Sequence, residues 1–191
     1  MRGEALRILI ADDEALTRMG LRSMLRALGH TVVGAAADGT TALQLACEIR
    51  PDLALLDIKM PGMDGLSVAE QIGRECPIPV VMLTAYSERE LVQQAASTDT
   101  VQAYLVKPIR EADLAPTLEL AVARFAEWQA LLQDATSRQE ALETREVVAL
   151  AKSLLMDRNG LGEREAFLEI QHRARKERRP MRDVAREILG R

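Results

Sequence analysis

Leu53-Ala54-Leu55-Leu56-Asp57-Ile58-Lys59-Met60-Pro61-Gly62-Met63-Asp64-Gly65 decides how this chain folds. Four apolar residues end in a carboxylate, and a Pro-Gly pair and an Asp-Gly pair follow. An apolar run of this length bounded by turn residues predicts a buried strand with Asp57 at its C-terminal tip. In a parallel sheet that tip faces the crevice where ligands bind. Asp57 is therefore the candidate for a covalently modified switch carboxylate.

Outward from this stretch, strands and helices alternate. Leu6-Arg7-Ile8-Leu9-Ile10-Ala11 predicts a first strand and Thr31-Val32-Val33-Gly34-Ala35-Ala36 a second. The Asp57 strand is third. Pro79-Val80-Val81-Met82-Leu83 is fourth, ending in Thr84, and Val101-Gln102-Ala103-Tyr104-Leu105-Val106 is fifth, ending in Lys107-Pro108. Between them, helical spacing runs from Leu16 to Leu28, from Thr41 to Ile49, from Leu66 to Ile72 and, more weakly, over 88–96. Asp38-Gly39 and Asp64-Gly65 read as turns. The fold class is α/β: a parallel sheet covered on both faces, whose right-handed crossovers favour the flavodoxin-like strand order 2-1-3-4-5.

That order has a chemical consequence. Asp12 and Asp13 end strand one, Asp57 strand three, Thr84 strand four and Lys107 strand five, so all five meet at the carboxyl edge of the sheet. Three carboxylates brought together need a cation to stay ionised. An oxygen-rich, thiol-free donor set suits Mg²⁺. Lys107 adds a fixed positive charge, and Thr84 a hydroxyl donor for an arriving oxyanion.

Asp12-Asp13, Asp57 within its LLDIKMPGMDG context, Thr84-Ala85 and Lys107-Pro108 together resemble the receiver domain of two-component response regulators, over residues 6–125. The resemblance implies that Asp57 accepts a phosphoryl group from a sensor histidine kinase. It implies that Asp13, Asp57 and the backbone carbonyl of Lys59 ligate Mg²⁺, with Asp12 assisting through water. Thr84 and Lys107 then contact phosphoryl oxygens, and Tyr104 is the aromatic whose rotamer follows Thr84. It implies a regulator and not an enzyme. Lys59 departs from the pattern: its cation either reaches the acidic pocket, compensating charge and obstructing the water that hydrolyses the acyl phosphate, or points into solvent. The first alternative predicts a long-lived phosphorylated state. Lys107-Pro108 is a candidate for a cis bond, being an X-Pro pair.

The bulk numbers narrow the class. No apolar run approaches the roughly 20 residues of a membrane span, and the first residues lack a signal-peptide core, so the expectation is a cytoplasmic protein with no membrane partner. Cys47 and Cys76 show no metal-type spacing and read as buried thiols of a reducing compartment, not as a disulfide framework. Residues 1–142 carry 13 basic and 20 acidic side chains, net −7; residues 143–191 carry 12 and 9, net +3. That asymmetry predicts two modules with different partners. Aromatics at 3% argue against a single-strand binder built on rows of base-stacking platforms.

After Glu111 the helical pattern continues. Leu114, Leu118, Ala121, Phe125, Trp128, Leu132, Ala135, Gln139, Leu142 and Glu146 alternate by four and three, a heptad seam uninterrupted by Gly or Pro over 117–159. This predicts a coiled-coil extension that pairs two protomers, or else a helix packed within its own chain. The tail predicts three helices: 140–157 with Val147, Val148, Ala151, Leu154 and Leu155 inward; 163–177 with Ala166, Phe167, Ile170 and Ala174 inward; and a short last helix with Met181, Val184, Ala185, Ile188 and Leu189.

Arg145, Val148, Ala151-Lys152, Leu154-Leu155-Met156, then Glu165-Ala166-Phe167, then Met181, Val184-Ala185 resemble the ANTAR domain, a three-helix RNA-binding module of transcription antitermination regulators. Ser153, Gly162 and Gln171 depart from that pattern, where a glycine, a Ser/Thr cap and an arginine are usual. Lys152, Arg158, Arg164, Arg173, Arg175, Lys176, Arg178 and Arg179 can supply a phosphate-contacting surface. The expected organisation is a receiver domain over 1–115, a coiled coil over 116–141 and an ANTAR-like domain over 142–191. The expected function is a response regulator that dimerises on phosphorylation and binds RNA hairpins of nascent transcripts to prevent termination. The rivals are a tail that binds a protein partner and a DNA-binding regulator. The latter fits poorly a last helix that is short and mostly apolar.

Overall fold

A computed structural model describes residues 5–85 and 100–190. The helix expected over 88–96 lies outside them. The strands are β1 (Arg7–Ala11), β2 (Thr31–Ala36), β3 (Leu53–Asp57), β4 (Val80–Thr84) and β5 (Val101–Val106). Among the described residues the helices are α1 (Ala15–Ala27), α2 (Gly39–Ile49), α3 (Gly65–Glu75), α4 (Glu111–Asn159), α5 (Glu163–Glu177) and α6 (Met181–Ile188). The strands form one parallel sheet in the order β2-β1-β3-β4-β5, as the alternation predicts.

The chain divides into two compact units, over 1–129 and 130–191. In the first, the sheet separates two apolar layers. Leu9, Leu56, Val80 and Met82 pack with Ala42 and Ala46 of α2 and Val68 and Ile72 of α3. Ile8, Ile10, Leu55 and Leu83 pack with Leu21 and Leu25 of α1 and Leu114, Leu118 and Ala121 of α4. Alternate residues of each strand thus face opposite layers, which is why β3 and β4 are apolar up to their last residues, Asp57 and Thr84.

Three local readings change in three dimensions. Asp38 and Asp64, read as turn residues, are helix N-caps. Asp38 accepts from the Thr41 amide at 2.8 Å and Asp64 from the Ser67 amide at 2.8 Å, each satisfying a donor that the helix start leaves open. Cys47 and Cys76, read as thiols, form a disulfide with Cα atoms 5.3 Å apart. The two cysteines are 29 residues apart in sequence, one in α2 and one capping α3, and only the packing of those helices on one sheet face brings them together. The first half of the heptad seam also has a different use: Leu114, Leu118 and Ala121 are buried in the core of their own unit, and Phe125 is buried against Trp128, ring centroids 5.3 Å apart. They are not available to pair protomers. Lys107-Pro108 is cis.

In the second unit, Val148 and Ala151 of α4 pack with Ile170 and Ala174 of α5 and Val184 and Ala185 of α6. The helix expected over 140–157 is the end of α4. Phe167, expected inward, is 39% exposed. Ala166, Ile170 and Ala174 occupy the inner face of α5, and position 167 falls about 60° from the centre of that face, just beyond its edge, at about 100° per residue. Gly162 lacks a capping side chain, but its amide donates to Glu165 Oε2 at 2.9 Å, which supplies half of a capping box. Helix α5 ends with Arg178 in the left-handed region at φ 52°.

Candidate functional site

The sheet register assembles the site. Ala11 pairs with Leu56, Asp57 with Leu83 and Thr84 with Val106, so the C-terminal ends of β1, β3, β4 and β5 lie side by side. Asp12 follows β1 directly, and the Lys107 amide donates to the Thr84 carbonyl at 2.8 Å. Asp12, Asp13, Asp57, Thr84 and Lys107 are thereby gathered at one edge, as the sequence predicts.

One carboxylate oxygen from each of Asp12, Asp13 and Asp57 lies within 4.8 Å of the others. Asp12 is fully buried and Asp57 is 5% exposed, whereas Asp13 is open to solvent. Lys107 Nζ stands 2.8 Å from Asp12 Oδ2 and 3.0 Å from Asp57 Oδ2. Burial is the largest influence on Asp57 and raises its pKa; Lys107 opposes this, and the charges of Asp12 and Asp13 add to it. Burial by itself would lower the Lys107 pKa, but the two carboxylates outweigh it and hold the ammonium above the ordinary lysine value. The ammonium is thus fixed in its charged form.

The donor set fits a hard cation. All its side-chain donors are oxygens. Asp12 Oδ2 is buried and, beyond its ion-pair contact with Lys107, accepts no aligned hydrogen bond, so it has a lone pair to offer. Asp12 Oδ1 accepts from the Glu14 amide at 2.9 Å. Thr84 is buried beside the cluster, its hydroxyl donating to the Ala85 carbonyl at 3.1 Å. Tyr104 lies on β5 opposite Met82, half-buried, and that burial raises its phenol pKa. Lys59 is exposed and, with Asp13, Met60, Asp64 and Glu70, lines a cleft beside the cluster.

Two supports of the site were not read from the sequence. A Cβ on Gly65 would stand 2.0 Å from the Asp57 carbonyl oxygen, so only glycine lets α3 begin this close to the end of β3. Its dipeptide with Asp64 gave a signal, but one that read as a turn. The Arg18 guanidinium donates to the carbonyls of Asp12 at 2.6 Å and Asp13 at 3.0 Å, holding the acidic loop from α1. Nothing in the spacing distinguishes Arg18 from the other arginines of that helix.

In the tail, the eight basic candidates divide. Lys152 pairs with Glu163 at 2.6 Å. Arg173 pairs with Glu177 at 2.9 Å and with Glu187, and Arg179 pairs with Glu177 at 3.0 Å and Glu187 at 2.6 Å, so these two arginines clasp α5 to α6. Arg158, Arg164, Arg175, Lys176 and Arg178 are exposed, and among the described residues they carry no ion pair.

A doubly covered parallel sheet with an acidic cluster and a lysine at its carboxyl edge, followed by a helical tail, defines a receiver-type signalling protein. Comparison with known proteins agrees. The family profile of the response regulator receiver domain matches residues 8–119, and that of the ANTAR domain residues 137–189. The chain is 46% identical over 183 residues to the transcriptional regulatory protein PdtaR of Mycobacterium tuberculosis, covering 96% of this chain and 89% of that one. Over 119 residues it is 43% identical to the positive alginate biosynthesis regulatory protein of Pseudomonas aeruginosa, covering 61% and 47% of the two chains. Among solved structures, the receiver domain of AraT, a response regulator from Geobacillus stearothermophilus, superposes with a TM-score of 0.58 at 32% identity, covering 65% of this chain and 98% of that one. The chain belongs to the response regulators, in the group that joins a receiver domain to an ANTAR domain. Among the described residues no helix is long and apolar enough to cross a membrane.

Proposed function

We propose that this chain is a cytoplasmic, phosphorylation-controlled regulator whose tail binds RNA hairpins of nascent transcripts and prevents termination. The observation that carries the reading is the buried Asp12-Asp57-Lys107 arrangement, an acceptor carboxylate held beside an oxygen-only donor set and a fixed ammonium. An Asp57 oxygen attacks the phosphorus of a phosphohistidine on a sensor kinase. The P–O bond forms, the P–N bond breaks, and the imidazole leaves with the electron pair. Lys107 neutralises charge on the transferring oxygens, and the Thr84 hydroxyl donates to one of them once it leaves Ala85. Asp12, Asp13, Asp57 and the Lys59 carbonyl are the groups that would hold Mg²⁺. When bound, that ion spreads the negative charge that otherwise repels a phosphoryl group from three carboxylates.

The added charge on Asp57 draws Thr84 inward and Tyr104 follows. The domain organisation we propose is receiver over 1–115, a helical extension over 116–141 whose coiled-coil pairing begins only beyond the residues packed on the receiver core, and RNA-binding unit over 142–191. The part of the heptad seam left for a second protomer is Leu132 to Glu146, since residues 129–142 are exposed all round the helix, Leu131, Leu132 and Leu142 included. A dimer presents two tails, so paired hairpins gain from effective concentration.

The test is labelling with acetyl phosphate in Mg²⁺, followed by RNA hairpin capture. We expect acid-labile label on the wild type, none on Asp57→Asn, and hairpin capture that strengthens with labelling. Label retained by Asp57→Asn, or capture of a protein with no hairpin enriched, overturns the reading.

A further inference from the structure

Cys47 and Cys76 close a covalent ring whose ends are 29 residues apart in sequence. That ring contains β3, the acceptor Asp57, the Lys59 carbonyl and all of α3. The two bonded helices touch the acceptor loop, 58–64, at their other ends. A Cβ on Gly39, the first residue of α2, would stand 2.0 Å from the Met63 carbonyl oxygen, and one on Gly65, the first residue of α3, would stand 2.0 Å from the Asp57 carbonyl oxygen. The loop is also tied at its ends: the Ile58 amide donates to the Leu83 carbonyl at 3.1 Å, and the Gly65 amide to the Ile58 carbonyl at 2.9 Å. Along its backbone α3 neighbours α2 more than its own strand β3. Two helices that abut the loop at their starts and are bonded near their ends form a closed frame around it. Without the bond, packing must hold that joint.

The bond is open to exchange from one side. Cys47 is half-buried, whereas Cys76 is 3% exposed and sits with Ile72, Ile78 and Val80 in the apolar layer. A thiolate from solvent therefore reaches the Cys47 sulfur. It forms a mixed disulfide there, the Cys47–Cys76 bond breaks, and Cys76 leaves with the electron pair and takes a proton. When the reductant is a dithiol, its second thiolate attacks the mixed disulfide, frees Cys47 and leaves the reductant oxidised by two electrons. The reverse steps, with a small disulfide as oxidant, restore the bond. Cα atoms 5.3 Å apart need no backbone movement for this. In a reducing compartment a disulfide is usually transient, and serves sensing or catalysis. Resting on the cytoplasmic phosphoacceptor reading above, we propose that Cys47 and Cys76 are a redox-controlled clamp on the acceptor loop. As a disulfide they hold the α2–α3 frame closed and the site formed. As thiols they let α3 and the loop open together, so that Asp57 takes up phosphoryl groups more slowly. Cutting a ring of this length raises the equilibrium of any opening that parts the two cysteines by about 10²- to 10³-fold.

The experiment uses the full-length protein, reduced with dithiothreitol or oxidised with diamide. Alkylation counts the thiols, amide hydrogen exchange reads the opening, and acetyl phosphate in Mg²⁺ labels Asp57. We expect the native protein to gain both thiols in the dithiol and to lose both on oxidation. In the oxidised protein the amides of α3 exchange together with those of β1; in the reduced protein they exchange ahead of them, the mark of an opening smaller than global unfolding. Labelling slows about 3- to 10-fold on reduction, and the Mg²⁺ Kd read by calorimetry rises by the same factor, because both need the closed form. Cys47→Ser with Cys76→Ser matches the reduced protein and ignores both reagents, which separates the bond from the chemicals that cut it. Should that variant fail to fold, the two states of the wild type decide alone. A bond that the dithiol cuts only in denaturant, α3 and β1 amides that speed up equally, or one labelling rate in both states overturns the clamp and leaves the phosphoacceptor reading standing. No label in either state overturns both.

Discussion

Replacing Lys107 by methionine tests the electrostatic account of the site most directly. The side chain keeps a similar length and loses the charge, and it leaves Asp12 and Asp57 buried without their cation. At 2.8 and 3.0 Å each contact has a gross attraction of about 5–6 kcal/mol at an effective dielectric near 20. Desolvation offsets most of this, and breaking a buried pair by removing one partner costs about 3–5 kcal/mol. The lysine side chain retains 22% exposure, so the lower end applies, about 3 kcal/mol. For a unit of this size the melting midpoint should fall by roughly 10–15 °C in metal-free buffer. The pH dependence has a definite sign. Asp57 already has a raised folded-state pKa, and losing Lys107 removes the influence that opposes the rise. A carboxyl whose folded pKa exceeds its unfolded value of 3.8 binds protons preferentially when folded. Stability of Lys107→Met therefore rises as pH falls from neutral toward that value, more steeply than in wild type, and the gap between them narrows. Mg²⁺ should also raise the midpoint of the variant more than that of the wild type, because the ion meets a less compensated cluster. Melts by circular dichroism over pH and Mg²⁺ read all three effects. A loss below about 1 kcal/mol at neutral pH, a gap that widens on acidification, or equal Mg²⁺ shifts in the two proteins would refute the reasoning.

Other perturbations follow from the same geometry. Gly65→Ala places a methyl 2.0 Å from the Asp57 carbonyl oxygen; we expect about 1–3 kcal/mol of destabilisation and slower labelling by acetyl phosphate, with unchanged labelling counting against the close approach. Cys47→Ser with Cys76→Ser removes a cross-link between residues 29 apart, worth roughly 3–4 kcal/mol by chain entropy; denaturant midpoints of oxidised, reduced and substituted protein measure it, and identical midpoints would show that the bond contributes nothing. Leu132→Glu with Leu142→Glu should keep the protein monomeric by light scattering in beryllofluoride, where wild type is expected to double its mass; a variant that still dimerises shows that the seam lies elsewhere. Lys59→Ala should shorten the life of the acyl phosphate if the cation obstructs hydrolytic water, and an unchanged half-life removes Lys59 from that role.

The strand order and the positions of Asp12, Asp57, Thr84 and Lys107 were legible because local sequence encodes them. Short apolar runs ending in polar residues carry the period and the boundary, and right-handed crossovers leave few ways to order parallel strands. The tail core was legible for the same reason at helical spacing, except at Phe167, which lies at the edge of the inner arc, where periodicity alone cannot separate core from surface. Tertiary structure decided whatever depends on which elements become neighbours. Helices α2 and α3 share one sheet face, and that alone joins Cys47 to Cys76. The start of α3 presses on the end of β3, which gives Gly65 its purpose. The first half of the heptad seam is spent on the sheet, because β1, β3 and β4 expose an apolar layer there that Leu114, Leu118 and Ala121 cover. The basic tail likewise read as eight equivalent cations until Glu177 and Glu187 met Arg173 and Arg179 across two helices. Charge at a position is written in the sequence; whether that charge is already neutralised depends on a partner that only the folded chain brings near.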